Sequence, residues 1–364
     1  MSKKVTVDFE GLSISIKAQC EVAAHSLCKI DQVLNHIHET ADKLETSKVK
    51  EYEQHLLVSK KLIQTKIDSF IDTLSDYKAL KKQTFSVHSG QFQQYERIVS
   101  NLKNKGEELT NIVNELTGSK LAVMDQMIDE ALFNAGQQSF QALIDKANGV
   151  LSIDSNILDQ INQIEDISLR ELAYNELINE KNINLSYSEI LAVANDKYDV
   201  LLGKKTTQVI EEYKEDLRSN GLSTEIIDKA KTIDEANVVV NAAITDEKVR
   251  KEALKAIIKA IKERGFIVDT QKNLKIDKEK NIVKLIALKA SGQKAEFEIQ
   301  QSGKFMYHFD KYEGKACQKD ITPFLEDLKN IYDINILHEE VSWENPDKIS
   351  TQKYQYINKN KGTN

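Results

Sequence analysis

The stretch that decides the fold is VKEYEQHLLVSKKLIQTKIDSFIDTLSDY, residues 49–77. Large apolar residues recur there every seven positions, and Ile67 and Leu74 fill intermediate positions. A second stretch, FQQYERIVSNLKNKGEELTNIVNEL (residues 92–116), repeats apolar residues at intervals of three and four, with Gly106 in one slot. This spacing forms a narrow apolar stripe on a helix, and such a stripe must be buried against another helix. The sequence therefore predicts two long helices, each of which needs a partner.

We call the main stripe residues of both helices the seam. Two arrangements would bury it: the helices pack as antiparallel neighbours joined by a turn near Ser89, or they pack against a second copy or a partner protein. We carry forward the second interpretation, a partner seam in a homo-oligomer or a complex. The seam consists of Val49, Leu56, Ile63, Phe70, Tyr77, Phe92, Val99, Leu102 and Leu109.

Few helix-breaking residues occur before the last fifth of the chain. Of 364 residues only two are proline, Pro323 and Pro346, and 13 are glycine, which is low against a typical ~7%. We predict a mainly α fold, with an elongated helical bundle or coiled-coil rod over residues 18–264. Gly203 and Thr245 are read as breaks, which gives separate helices at about 186–202, 205–219, 223–243 and 246–264.

The apolar period changes from helical to strand-like near residue 265. Residues 281–290, 294–300 and 304–309 read as an antiparallel meander, because apolar and polar residues alternate and Ser-Gly pairs separate the runs. A helix is expected from Thr322, with Pro323 in its first turn, and a last strand at 334–341. The sequence predicts a small α+β domain at residues 265–345 and a polar tail at 346–364.

Residues 1–17 form a separate segment that we read as a hairpin or an extended stretch. Val5, Val7 and Phe9 alternate with polar residues, and the apolar alternation continues after Gly11. The segment is expected to cap the helical region or to add to a sheet elsewhere, and the first helix is expected to begin near Ala18.

One stretch, residues 245–294, is strongly basic in a chain whose net charge is −7. It holds 14 Lys and Arg against 7 Asp and Glu, a local net charge of +7. We read it as a surface for an anionic partner, which is an acidic protein surface or the phosphates of a nucleic acid; the alternative is a solvated face. The residues we select for this anionic-partner surface are Lys255, Lys259, Lys262, Lys272 and Lys275.

Cysteine and histidine residues cluster within residues 20–38, where a metal site has to be considered. His25 and Cys28 lie three residues apart and share a helix face, but no second close pair completes a zinc site. We interpret Cys20, Cys28 and their neighbours as part of a packed helix end. The sequence predicts no metal ligand, no cofactor and no catalytic residue.

Two further patterns near the C-terminus resemble known kinds of site. Phe305, Tyr307 and Phe309 alternate along one strand, as base-stacking aromatics do in RNA-binding sheets, but we read them as the core beneath the last helix. Cys317 follows His308 at a distance at which a Cys–His pair is conceivable, without independent support.

The function predicted from this architecture is that of a non-enzymatic structural or interaction subunit. It would assemble through the long amphipathic helices and dock a partner with the α+β domain. Two alternatives are a nucleic-acid-associated accessory protein that uses residues 245–294, and a soluble helical pore-forming toxin. Because residues 1–20 lack an apolar signal region and no run of ~18 apolar residues occurs, we expect a cytoplasmic protein without a membrane span.

Overall fold

The computed structural model describes residues 3–40, 46–81, 90–133, 155–179, 185–277, 280–301, 304–312 and 316–344. The chain is mainly helical and carries an antiparallel sheet, so the predicted fold class is confirmed at this level. A coiled-coil rod stays a prediction. The chain divides into two compact units: the helical unit, Gln19–Asn241, and the sheet unit, Met1–Ala18 with Ala242–Asn364.

The helices and strands have the following bounds. The helices are α1 (Leu12–Thr40), α2 (Thr46–Lys81), α3 (Gly90–Thr117), α4 (Ser119–Phe133), α5 (Ser155–Asn162), α6 (Ile167–Leu177), α7 (Tyr187–Asn220), α8 (Ile233–Glu263) and α9 (Gln318–Asn330). The strands are β1 (Lys3–Glu10), β2 (Leu274–Asp277), β3 (Ile282–Leu288), β4 (Lys294–Gln300), β5 (Lys304–Asp310) and β6 (Asn335–Glu344).

The N-terminal segment is one strand followed directly by a helix. The expected strand at residues 3–10 is present, but the second half of the predicted hairpin is wrong, because α1 begins at Leu12 and not near Ala18. Leu12 and Ile16 are also four residues apart, and both are buried, so a short apolar run with this spacing fits either period. At the N-terminus of α1, the backbone amide of Ser13 donates a hydrogen bond to the carboxylate of Asp333, with an N–O distance of 3.1 Å.

The sheet is antiparallel, and its strand order is β2-β3-β4-β5-β1-β6. The predicted meander forms β3, β4 and β5, and the N-terminal strand lies between β5 and β6, with Val5 opposite Tyr307 and Val341. The prediction that this segment adds to a sheet is therefore confirmed. One face of the sheet packs against α9 and the C-terminal half of α8, through residues such as Phe324 and Ile257.

Two predicted helix breaks are wrong. Helix α7 runs without interruption through Gly203, and α8 runs through Thr245. A glycine inside a helix costs about 1 kcal/mol relative to alanine. The burial of Leu201 and Lys205, two residues before and after Gly203, offsets this cost. The sheet unit begins at Ala242 rather than near residue 265, because Ala253, Ile257 and other residues of α8 belong to its core.

In the helical unit, α2 and α3 pack against each other as antiparallel neighbours. Lys66 forms an ion pair with Glu108, and the rings of Tyr77 and Tyr95 stack with centroids 5.6 Å apart. The turn predicted near Ser89 and the tail at 346–364 lie outside the described residues. Within the described part of the chain, no helix is both long enough and apolar enough to cross a lipid bilayer.

Candidate functional site

Most seam residues are buried between helices of the same chain. Val99 is half-buried, and the side chains of Val49 and Phe92 lie outside the described part of the structure. A partner that used the seam would have to displace α2 from α3. Assembly through the seam stays a prediction, and it would require that opening. The buried seam residues are Leu56, Ile63, Phe70, Tyr77, Leu102 and Leu109.

The histidines of the Cys/His cluster pair separately with carboxylates. His25 Nε2 lies 3.1 Å from Asp216, and His38 Nε2 lies 3.0 Å from Glu53. Burial and the neighbouring Glu21 raise the pKa of the Cys20 thiol to about 11, so the thiol stays protonated at neutral pH. The described residues contain no group of three metal-ligating side chains that could hold an ion.

His36 belongs to a charged cluster that joins three helices of the helical unit. Lys205 is only 7% exposed, and its ammonium lies 2.7 Å from Asp125 and 2.8 Å from Asp129. His36 Nδ1 lies 2.8 Å from the other oxygen of Asp125. Burial alone would lower the pKa of Lys205, but its hydrogen bonds to the two aspartates raise it. The arrangement is that of a structural ion cluster, since every charge in it faces an opposite one.

The aromatic strand and Cys317 belong to the core of the sheet unit. Phe305, Tyr307 and Phe309 are at most 1% exposed, which confirms them as core and removes them as a base-stacking platform. Cys317 is equally buried in that core. The His308 ring hydrogen-bonds to Glu296 at 3.3 Å.

The selected lysines of the basic stretch are all exposed, and they differ in their partners. Lys255 pairs with Glu252 at 2.6 Å, and Lys272 lies 3.9 Å from Asp269. The other three form no ion pair with any of the described residues, although, beside the hydrogen bond from Lys255, the charge of Lys259 helps to lower the pKa of Glu252. These unpaired lysines are Lys259, Lys262 and Lys275.

Net charge differs between the two units. The helical unit contains 24 Lys and Arg against 36 Asp and Glu, a net charge of −12. The sheet unit contains 26 against 21, a net charge of +5. Opposite charges attract at distances up to the Debye length, about 8–10 Å at physiological salt. The sheet unit therefore carries the net positive charge of the chain, and the helical unit carries the net negative charge.

A pocket in the helical unit was missed from the sequence. Its volume is about 150 Å³, and residues of α2, α3, α4 and the turn before α6 line it. The signal that could have revealed it is Ser59, a small polar residue three positions after Leu56 on the buried face of α2. A serine in a stripe of large apolar residues leaves space, and here it adjoins His55.

The chain was compared with protein-family models, curated proteins and solved structures. No family model, no curated protein and no solved structure matches it.

Proposed function

We propose that this chain is a non-enzymatic interaction protein whose sheet unit binds an acidic protein surface. The observation that supports the proposal is the set of exposed and unpaired lysines Lys259, Lys262 and Lys275 in a unit of net charge +5. The ion pairs of Lys255 and Lys272 are surface pairs worth at most about 1 kcal/mol, so both ammonium groups can exchange partners.

The acidic surface that this chain itself supplies is the helical unit of a second copy. Its net charge of −12 complements the charge of the sheet unit. Charge complementarity of this kind raises association rates and orients the partners, and salt weakens it. Self-association through these two surfaces is therefore the first form of the proposal to test.

The test is sedimentation velocity of the purified chain over a concentration series at ~50 mM and ~500 mM salt, since screening shortens the Debye length between these conditions. We expect concentration-dependent association at low salt that disappears at high salt. A variant with Lys259→Glu, Lys262→Glu and Lys275→Glu should stay monomeric. The matched control carries Lys61→Glu, Lys78→Glu and Lys229→Glu, which impose the same charge change on exposed lysines of the helical unit.

The control must retain association, because its substitutions make the helical unit more acidic. A chain that is monomeric at every concentration at low salt would overturn self-association as the function. Equal losses in both triple variants would show a dependence on net charge alone.

Nucleic acid is the second candidate for this surface, because the same exposed lysines can contact phosphates. A fluorescein-labelled 20-mer in the same buffers separates the candidates. If the oligonucleotide binds with an affinity that falls steeply with salt, and if binding is lost only in the sheet-unit variant, the partner of this surface would be a nucleic acid rather than an acidic protein.

A further inference from the structure

The pocket of the helical unit has an aliphatic wall. Leu56, Leu116, Leu121, Met124 and Ile167 form it, and they come from helices α2, α3, α4 and α6. Protein interiors are close-packed and rarely leave voids larger than a water molecule. A cavity of about 150 Å³ with aliphatic walls accommodates a benzene-sized group in another protein. The size and the wall together favour an organic ligand over a single ion.

Two polar side chains on α2 line this space and have no hydrogen-bonding partner among the residues that the structure describes. Ser59 is 5% exposed, and its hydroxyl makes no hydrogen bond with the described residues. His55 is half-buried, and its ring also makes none. The two lie four residues apart and therefore share a helix face. Solvent water in the open pocket can satisfy both groups, and a ligand that bonds to them would replace that water.

His55 and Ser59 both offer acceptor atoms to that ligand. Burial lowers the pKa of His55 from its usual value, and the cations of Arg170 and Lys120 lower it further, against the opposing effect of Asp166, so its imidazole is neutral at pH 7. Arg170 is itself paired with Glu51 at 2.9 Å. A neutral imidazole has one lone pair on nitrogen, and a serine hydroxyl has two on oxygen. A group that donates several N–H bonds fits the pair.

The charges around the pocket are predominantly negative. Lys120 is neutralised by Glu115 at 3.0 Å. Asp166 is held by the amides of Ser168 and Leu169, at 2.9 and 3.0 Å, as the N-cap of α6.

Tyr198 also donates a hydrogen bond to Asp166, at 3.2 Å, and so fixes the carboxylate in place. Glu165 is exposed and makes no ion pair with the described residues. Two carboxylates without a basic partner therefore lie beside the neutral acceptors.

We propose that this pocket binds a small organic amine. The protonated amino group donates to His55 and Ser59 and lies beside the carboxylates of Glu165 and Asp166, while a benzene-sized apolar group contacts the aliphatic wall. An ammonium has three N–H donors, which matches the two neutral acceptors and one carboxylate.

The probes are benzylamine, benzyl alcohol and benzoate, which share one ring and differ in charge. The readout is NMR of histidine-labelled full-length protein, whose seven histidines give few enough signals to resolve. The His55 signal is assigned as the one that is missing in His55→Gln. We expect a saturable shift of this signal with benzylamine and an affinity at least about tenfold higher than for benzoate, since a tenfold ratio corresponds to one modest charge interaction.

Three variants test the contacts. Ser59→Leu fills the pocket with apolar atoms and should abolish benzylamine binding, whereas Ser75→Leu, the same change at an exposed position of α2, should leave it unchanged. Glu165→Gln removes an exposed charge without threatening the fold. It should weaken benzylamine several-fold and leave benzyl alcohol unaffected.

Three results would overturn the proposal: no saturable His55 shift with benzylamine, equal affinity for benzoate, or unchanged binding in Glu165→Gln. If Ser59→Leu fails to fold by circular dichroism, the Glu165→Gln comparison decides alone. The Lys→Glu triple variant of the sheet unit should bind benzylamine normally, which separates this site from the proposed docking surface.

Discussion

The sheet unit and the helical unit differ in the contacts that hold their elements together. In the sheet unit, Phe309 contacts five other rings, with centroid distances from 5.9 to 6.4 Å. In the helical unit, many of the contacts between helices distant in sequence are polar. The Lys205 cluster is one of them, and Asn237 of α8 donates to the Asn114 carbonyl of α3 at 3.1 Å.

This difference explains why the sequence predicts the fold of the sheet unit more completely than that of the helical unit. In the sheet, β3, β4 and β5 follow one another in the chain and pair in that order. The alternation of apolar and polar residues therefore shows which face of each strand is buried, and the chain order shows which strand pairs with it. In the helices, the apolar stripe shows which face is buried but not which helix covers it. Polar contacts then select the neighbour, and their partners lie more than one hundred residues apart in several cases.

The largest expected effect comes from the aromatic core of the sheet unit. Phe309→Ala should lower the free energy of unfolding by about 3–5 kcal/mol, since it removes a fully buried ring and leaves a cavity. Urea denaturation followed by Trp343, the single tryptophan, reports on this unit because the residue lies in β6. Leu337→Ala on the same strand, where the side chain is 65% exposed, is the control and should change little.

Lys205 should have the largest effect among the polar residues of the helical unit. Lys205→Ala leaves Asp125 and Asp129 without their shared lysine and should cost about 1–3 kcal/mol at pH 7, less than a fully buried pair would, because Asp129 is 41% exposed. The neighbouring and exposed Lys204→Ala should cost much less. A result near zero for Lys205→Ala would mean that apolar packing alone holds these helices, as in the sheet unit.

The pH dependence of this effect follows from the raised pKa of Lys205. A raised pKa in the folded state means that the stabilisation is complete below the unfolded lysine value of about 10.4. The stabilisation is lost as the pH rises through the higher folded value. The difference between wild type and Lys205→Ala should thus be constant from pH 7 to 9 and shrink above about 10.4, as measured by denaturation at each pH.

The smallest effect concerns Glu296, on the polar side of the sheet unit. A hydrogen bond from His308 and the neighbouring Lys294 lower the pKa of Glu296 to about 2. Its stabilisation is therefore present above the unfolded glutamate pKa of about 4.3 and is lost as the pH falls to about 2.

Glu296→Gln should cost about 1 kcal/mol at pH 7, because the side chain is 36% exposed and solvent screens its interactions. The cost should vanish near pH 2, as followed by Trp343 fluorescence. Glu326→Gln on the exposed side of α9 is the matched control. A cost that persists unchanged in acid would show that Glu296 acts through packing rather than through its charge.

Sequence reasoning located the surface of the docking proposal but not the pocket. Lys259, Lys262 and Lys275 could be selected because an excess of basic residues over one stretch, 245–294, is a local pattern. The pocket could not be found in this way, because His55 and Ser59 form a site only together with Met124 of α4 and Glu165 in the turn before α6. The absence of hydrogen bonds to His55 and Ser59 is likewise visible only once all neighbouring helices are placed.

The sequence by itself determined the local structure: the apolar stripes of α2 and α3, and the alternation of apolar and polar residues in β3 to β5. Each of these rests on interactions within a few residues or on a repeating period. Only the tertiary structure decided the position of β1 between β5 and β6, and the use of Asp333 to cap α1 from 320 residues away. A hydrogen bond requires two atoms about 3 Å apart, and the distance between remote residues depends on the packing of all the elements between them.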